Sequence, residues 1–200
     1  KRTLLSSLPA LTKKQIGVAL ALLMVIIFAR SFYVTNMTNF YIFHLMKNYG
    51  MTIKEGQLII FVFLALGAVG TLFGGPMADR MGRRNVIILS MAVPIPLCLL
   101  LPYVPVWAII LLLIAIGFFI MLSFSVTVVY AQELVPSKIG TMAGLTVGLA
   151  FGMGAIGAVV IGILMDYIGV YTTMIVVSTL PIIGLVALAL PKDRKITMSS

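Results

Sequence analysis

The stretch Gly75-Pro-Met-Ala-Asp79-Arg80-Met-Gly82-Arg83-Arg84 carries four charges in its last six residues, within a chain that is 62% hydrophobic. Apolar runs long enough to cross a bilayer lie on both sides of it, so we expect the turn of a hairpin between two membrane helices. Gly82 permits a turn conformation that other residues resist, and Gly75 is expected to let a neighbouring helix come close. Asp79 is expected to cap the following helix or to face a helix N-terminus elsewhere.

The composition indicates a polytopic membrane protein. Charged residues make up 10% of the chain, whereas soluble domains carry about 25%. The net charge of +9 does not indicate nucleic-acid binding, because the basic residues lie at the ends of apolar runs and form no face with interleaved aromatics. Cys98 is the single cysteine, which excludes an intramolecular disulfide. The chain starts with Lys1 and shows no signal-peptide pattern, so we expect it to begin inside a longer protein.

Six apolar segments predict an all-α membrane protein with six transmembrane helices. The segments cover residues about 15–47, 56–78, 85–102, 105–130, 138–166 and 170–190, and each is long enough for a crossing of about 20 residues. Residues 1–190 are therefore predicted to form one bundle, followed by a cytoplasmic tail at 191–200. Pro94 and Pro96 predict a kink in the third segment.

The distribution of basic residues predicts the orientation in the membrane. One side of the predicted bundle carries Lys1, Arg2, Lys13, Lys14, Arg80, Arg83, Arg84, Lys138, Lys192, Arg194 and Lys195. The other side carries only Lys47 and Lys54. Because cytoplasmic loops are rich in Lys and Arg, both termini of this chain are predicted to be cytoplasmic. An aromatic belt is then expected at the outer boundary, formed by Tyr49, Tyr103, Trp107, Tyr167 and Tyr171.

Small residues mark the helices that are expected to pack closely. Gly140, Gly144, Gly148 and Gly152 repeat every four residues along one helical face of the fifth segment. Gly67, Gly70 and Gly74 do the same in the second segment. Such faces let membrane helices pack backbone to backbone. The face of the fifth segment either packs within this chain or forms a sliding surface against another helical bundle.

No nucleotide, cofactor or metal site is predicted. Gly152-Met-Gly154-Ala-Ile-Gly157 matches a dinucleotide-binding pattern, but it lies inside an apolar helix rather than after a strand. The sequence has no phosphate-binding loop of the ATPase type. With one His and one Cys in different segments and no acid at mid-membrane, neither a catalytic pair nor a metal-ligand set is present. We therefore expect no enzymatic activity.

Arg30 is the one charged residue deep in an apolar run, near the midpoint between Lys14 and Lys47. If that run is a single helix, Arg30 lies about 24 Å from each end at 1.5 Å per residue. A buried Arg at that depth costs several kcal/mol unless it meets an anion, a carbonyl or water. The acids of the chain lie at or near segment ends. Arg30 is therefore predicted to bind an anionic substrate or to pair with an acid outside this chain, with pairing to carbonyls as the alternative.

Polar residues follow Arg30 along the first segment. Tyr33, Met37, Tyr41 and His44 continue at helical spacing on its face, and Asn36, Thr38 and Asn39 lie beside it. A lipid-facing helix would not carry these groups, so Tyr33, Asn36, Tyr41 and His44 are predicted to bind substrate together with Arg30. His44 can carry a proton, although a lone His is more often a hydrogen-bonding residue near the interface. The hydroxyls of Ser123, Ser125 and Thr127 either complete the polar wall or bond backbone carbonyls.

Glu133 closes the fourth segment on the side that also holds the charged loop. It is predicted to pair with Arg80 or Arg83 and to tie the two loops together in one conformational state. Gly75, Asp79, Arg80, Gly82, Arg83, Arg84 and Glu133 form this predicted latch. If the pair is merely exposed, it contributes at most about 1 kcal/mol.

The spacing Gly-x-x-x-Asp-Arg-x-Gly-Arg-Arg resembles the loop signature of the major facilitator superfamily of secondary transporters, with all six specified positions matched. Further stretches, at residues 61–79, 128–136 and 144–154, resemble the fosmidomycin-resistance proteins, a bacterial drug-exporting branch. The resemblance covers nearly all of the chain and corresponds to the C-terminal six helices, one half-bundle of a twelve-helix fold.

The resemblance implies proton-coupled export of a small drug by alternating access in the bacterial inner membrane. Fosmidomycin is a phosphonate, and the planar fork of Arg30 can hold a phosphonate by two hydrogen bonds. The implied partners are a small anionic substrate, protons, membrane lipid and the N-terminal six-helix half. Uptake or exchange of another small organic anion is the alternative, and a channel or structural membrane subunit is a more distant one.

Overall fold

A computed structural model describes residues 12–191 of the chain. They form six helices that are long and apolar enough to cross a membrane, and the described residues contain no strand. The helices are α1 (Lys13–Tyr49), α2 (Ile53–Met81), α3 (Arg83–Tyr103), α4 (Val106–Leu134), α5 (Pro136–Ile168) and α6 (Val170–Ala189). The prediction of an all-α membrane protein with six transmembrane helices is confirmed.

Local sequence signals set where the helices begin and turn. Thr12 and Gln15 form a capping box at the start of α1, and Thr52 and Glu55 form another at the start of α2. In each box the hydroxyl and the side-chain carbonyl or carboxylate satisfy backbone N–H groups that have no partner within the helix. Short turns then reverse the chain at glycines with positive φ, among them Gly82 at +88° between α2 and α3. This value lies in a region that glycine adopts without a steric penalty, so the conformation predicted for Gly82 is confirmed.

Two of the helices are irregular. The α-helix of α3 is interrupted at Val93, directly before Pro94, which is the place where the kink was predicted. Proline lacks the N–H that would continue the helical ladder. The irregularity of α1 was not predicted: residues Asn36–Phe40 form a π-helical turn in the middle of the helix. The side chains of Thr38 and Asn39 donate hydrogen bonds to backbone carbonyls of the preceding turn, which keeps these groups satisfied in an apolar setting.

The closest packing in the bundle joins α2 to α4. A Cβ added at Gly70 would collide with the carbonyl oxygen of Phe118, and one at Gly74 would collide with that of Leu122. Gly117 of α4 approaches the backbone of Phe63 in the same way. The predicted role of small residues in α2 is therefore confirmed. Helix α4 also contacts α3 and α5, so it lies at the centre of this group of helices.

The hairpin topology separates the two ends of the bundle. Tyr49, Tyr103, Trp107, Tyr167 and Tyr171 all lie at the end formed by the C-termini of α1, α3 and α5, here called the aromatic end. The charged loop lies at the opposite end, here called the loop end, together with Lys13, Lys14 and Lys138. Five further basic residues predicted for this end, and the predicted tail beyond Pro191, lie outside the described residues. These basic residues are Lys1, Arg2, Lys192, Arg194 and Lys195.

Candidate functional site

A cleft of about 800 Å³ opens among α1, α2, α4 and α5. It is formed where α1 and α5 diverge from the tightly packed pair α2 and α4. Its walls consist of Arg30, Ser31, Val34, Thr35, Asn39, Phe63, Leu64, Gly67, Ala68, Thr71, Leu72, Met121, Phe124, Ala150, Phe151, Gly154, Ala155 and Ala158. Arg30 is the one charged residue among these lining residues.

Arg30 is held in this cleft with little solvent contact. The residue is 3% exposed, and about 26 Å of helix separates it from the N-terminal end of α1 and about 29 Å from the C-terminal end. Its guanidinium carbon lies 4.9 Å from the ring centroid of Phe124 in α4, a cation–π arrangement. The Nη1 atom has no hydrogen-bond partner among the described residues. A buried guanidinium with an unused donor is suited to binding an anion.

Three of the hydroxyl and amide groups on the cleft walls donate hydrogen bonds to backbone carbonyls. The Thr35 hydroxyl donates to the carbonyl of Gly154 in α5, at 3.3 Å. Thr71 donates to the carbonyl of Gly67 at 3.1 Å. The Asn39 amide donates to the carbonyl of Thr35 at 3.2 Å. These bonds join neighbouring turns and helices, and they leave Arg30 as the dominant polar feature of the cleft.

The remaining predicted substrate-binding residues lie outside the cleft walls. Asn36 donates to the sulfur of Met174 in α6 at 3.4 Å, and Tyr33 lies beside the thiol of Cys98 in α3. The prediction that they share a wall with Arg30 is corrected. Helical residues are about 100° apart, so Arg30 lies at the edge of the arc that faces the cleft, and Tyr33 and Asn36 lie on the other side.

His44 and Tyr41 are displaced from this arc as well. The π-helical turn adds a residue to one turn of α1 and so changes the direction of every side chain that follows. His44 is buried near the aromatic end, where its ring stacks on Tyr41 and on Tyr171 of α6, at centroid distances of 5.5 and 6.0 Å. Its Nδ1 atom lies 3.1 Å from the amide of Asn48. The structure therefore places His44 as a packed, hydrogen-bonded residue.

The serine and threonine hydroxyls of α4 bond backbone carbonyls. Ser123 donates to Ile120 at 3.2 Å and Thr127 donates to Ser123 at 2.8 Å, both within α4. Ser125 donates to the carbonyl of Thr71 across the α2–α4 contact, at 3.2 Å. Of the two uses considered for these hydroxyls, bonding to backbone carbonyls is the one observed.

The charged loop joins three helices at the loop end. Arg83 forms an ion pair with Glu133 at the end of α4, with 2.9 Å between Nη2 and Oε1, which confirms the predicted pairing with Arg83. Arg84 donates to the carbonyl of Leu188 at the end of α6, at 2.6 Å. Tyr130 donates to the carbonyl of Pro191, at 2.8 Å. The start of α3 is therefore attached to the C-terminal ends of both α4 and α6.

Two predictions for this loop are wrong. Of the two roles predicted for Asp79, capping of the following helix is excluded, because Asp79 lies within α2 and Gly82 is the residue that precedes α3. The other role, facing a helix N-terminus elsewhere, stays a prediction. Gly75 does not admit a neighbouring backbone, because nothing among the described residues lies within 4 Å of an added Cβ there. The close approach occurs at Gly70 and Gly74, which face α4. Asp79 and Arg80 are both exposed at the end of α2.

The glycine face of α5 has no neighbour in the part of the chain that the structure describes. A Cβ added at Gly140, Gly144, Gly148 or Gly152 would meet nothing within 4 Å. Further along the same helix, Gly154 and Gly157 do pack, against Thr35 and Phe32 of α1. The open part of the helix therefore lies towards the loop end.

Metal coordination gains no support from residues 12–191, which contain no cluster of three or more His, Cys, Asp or Glu side chains that could hold a metal ion. Phe124 and Phe151 are among the cleft residues that sequence reasoning missed. Both lie in apolar runs, where an aromatic residue that lines a cleft looks the same as one that faces lipid.

Comparison with known proteins places the chain in one family. Residues 17–198 match the Major Facilitator Superfamily. The chain is 37% identical, over 97% of its length, to the Fosmidomycin resistance protein of Escherichia coli (strain K12). It is 56% identical, over 79% of its length, to the "Uncharacterized MFS-type transporter YfnC" of Bacillus subtilis (strain 168). The matched regions span 47% and 39% of these two relatives. No solved structure matches the chain significantly.

Proposed function

Because the chain belongs to the major facilitator superfamily, we propose that it forms the C-terminal six-helix half of a secondary transporter that exports a small anion in exchange for protons. The observation that carries this proposal is Arg30: a buried, mid-helix guanidinium with an unused donor, lining an open cleft. In transporters built from repeated halves, substrate binds near the midplane, where the halves meet.

The anionic substrate is inferred from chemistry and from one relative. A guanidinium binds carboxylate, phosphate or phosphonate through two parallel hydrogen bonds. The Escherichia coli relative is by name a fosmidomycin resistance protein, and fosmidomycin is a phosphonate. Both point to a small anionic drug as the cargo, and uptake or exchange of another organic anion is the alternative that the transport assay below distinguishes.

The proposed location is the bacterial inner membrane, crossed several times, with both ends of this segment in the cytoplasm. The basic residues of the loop end support this orientation, because Lys and Arg accumulate in cytoplasmic loops. The aromatic residues then lie at the outer interface, where Tyr and Trp are commonly enriched. Membrane lipid surrounds the exposed apolar residues of the helices.

The proposed function is tested with the full-length transporter in liposomes. An acidic interior should accelerate uptake of a labelled phosphonate, because protons leaving the vesicle drive the anion inward. Collapsing the gradient with a protonophore should abolish accumulation above equilibrium. A channel would equilibrate the phosphonate without regard to the gradient. An exchanger would need a trans anion instead of protons, and a proton-coupled uptake system would need an acidic exterior instead of an acidic interior. Any of these results would overturn proton-coupled export.

We further propose that the charged loop is a conformational latch. The ion pair between Arg83 and Glu133 attaches α3 to α4 at the cytoplasmic end. The other proposed latch residues lie beside it at the end of α2 and the start of α3: Gly75, Asp79, Arg80, Gly82 and Arg84. Alternating access requires the ends of the helices to separate in one state and meet in the other. An ion pair that forms in one state biases the equilibrium towards that state.

Reversing either charge of this pair should slow transport without unfolding the protein. Arg83→Glu and Glu133→Arg should each reduce the transport rate about fivefold, since a surface pair contributes at most about 1 kcal/mol. The double exchange should recover most of the rate, because the pair reforms with its charges swapped. Lys138→Glu, another charge reversal at the loop end, is the control. Wild-type transport rates in both Arg83→Glu and Glu133→Arg would exclude the latch.

We also propose that the glycine face of α5 contacts the N-terminal half of the transporter. The four open glycines support this, because small residues allow membrane helices to pack closely. Gly148→Leu should insert and fold as before but should reduce cross-linking and co-purification of separately expressed halves. Val159→Leu, at a position 64% exposed on the same helix, is the control. Cross-links from Gly144 and Gly148 only to helices of this chain would contradict the proposal.

A further inference from the structure

The walls of the cleft, rather than Arg30 alone, restrict which anions fit. Apart from Arg30, the lining residues carry no charge, and most are aliphatic or aromatic. Phe63 of α2, Phe124 of α4 and Phe151 of α5 surround the space from three sides. A strongly hydrated molecule would lose its water in such a site without gaining replacement hydrogen bonds.

The polar groups of the walls offer few free donors to a ligand. The hydroxyls of Thr35 and Thr71 and the amide of Asn39 already donate to backbone carbonyls. Arg30 therefore supplies the main donors, and its one positive charge compensates one negative charge. A second negative charge in the cleft would be desolvated without a partner in this half of the transporter.

The size of the cleft leaves room beyond the anionic group. At about 800 Å³ it lies in the upper part of the range of pockets that hold drug-sized ligands. Phe124 packs against the guanidinium, with 4.9 Å between the ring centroid and the guanidinium carbon. Phe151, which is 72% exposed, adds apolar surface to the wall contributed by α5.

Resting on the proposed function, we propose that this site selects amphiphilic monoanions: molecules with one anionic group for Arg30 and an apolar body for the phenylalanine-lined walls. Among the anions that the transporter accepts, affinity then rises with the apolar surface of the substrate. Compact, strongly hydrated anions bind weakly, because they leave the apolar walls unfilled.

The test measures binding of n-alkylsulfonates, which keep a single negative charge at all practical pH values. Methane-, butane- and octanesulfonate are titrated calorimetrically into the full-length protein in nanodiscs, with empty nanodiscs subtracted. Each buried methylene should tighten binding about fourfold, so butanesulfonate should bind about 60-fold more tightly than methanesulfonate. Arg30→Gln should weaken all three ligands. The matching n-alcohols should bind far more weakly than the sulfonates.

Variants of the apolar wall separate a binding role from folding. Phe151→Ala should reduce the gain in affinity per methylene, and Phe151→Leu should retain most of it. Phe61→Ala removes a phenylalanine that is 66% exposed outside the cleft, and it should leave the gain unchanged. Equal affinities along the series would overturn the selection of amphiphilic anions while leaving an Arg30-dependent anion site intact. Absence of Arg30-dependent sulfonate binding would overturn both.

Discussion

Gly70→Ala is expected to destabilise the bundle by about 3 kcal/mol, the upper part of the range for an overpacked core. The added methyl group would collide with the carbonyl of Phe118 on α4. Backbone cannot rotate out of the way as a side chain can, so α2 and α4 must move apart along their whole contact. That contact is the tightest in the fold, and Gly74 and Gly117 depend on the same helix separation.

Gly75→Ala provides the matched control on the same helix. An added Cβ there has open space among the described residues, and alanine favours a helix over glycine by up to about 1 kcal/mol. Denaturant unfolding of the purified protein should therefore show a large loss for Gly70→Ala and little change for Gly75→Ala. Similar stabilities of the two variants would show that α2 and α4 are not held at the separation described.

Removal of the Arg30 guanidinium is expected to have the largest effect on binding. Arg30→Ala should weaken phosphonate affinity by about 10- to 100-fold, because charge-assisted hydrogen bonds contribute about 1.5–3 kcal/mol. Arg30→Lys keeps the charge but loses the two-pronged geometry, so it should weaken affinity less than Arg30→Ala. The measurement is equilibrium binding of a labelled phosphonate to the purified full-length protein and to both variants.

A structural role for Arg30 predicts a different pattern. In that case the affinities of the three proteins would be equal, and the loss would appear in thermal stability instead. If an acid in the N-terminal half pairs with Arg30, removing both should restore stability without restoring binding. Lys47→Ala, which removes a basic residue of α1 at the aromatic end, is the control and should change neither quantity.

Much of the fold could be read from local sequence. Apolar runs separated by charged or glycine-containing turns strongly favour membrane helices, because each backbone N–H and C=O group in the apolar region must form its hydrogen bond within the helix. The observed helices begin and end within a few residues of the predicted segments. Gly82 and the two prolines of α3, Pro94 and Pro96, affect the backbone only at and next to their own positions. The turn at Gly82 and the interruption of α3 at Val93 therefore follow directly from residue type.

The site was only partly predictable, for reasons that lie in tertiary packing. Sequence identified Arg30 by its isolation in an apolar run, but the side of α1 that faces a cleft depends on where α2, α4 and α5 lie. Phe124 lies 94 positions from Arg30 along the chain, and only the packing of α1 near α4 brings its ring to the guanidinium. The π-helical turn then redirects His44 and Tyr41 towards the core.

Sequence alone established the class of the protein, the number of its helices, the position of the charged loop and the unusual charge at mid-membrane. These follow from hydrophobicity, chain length and the backbone preferences of glycine and proline, which act locally. Tertiary structure decided which glycines meet a neighbouring helix, which partners the loop arginines take and which residues line the cleft. Those outcomes depend on how six helices of similar composition pack against each other, and shape complementarity between distant residues determines that packing.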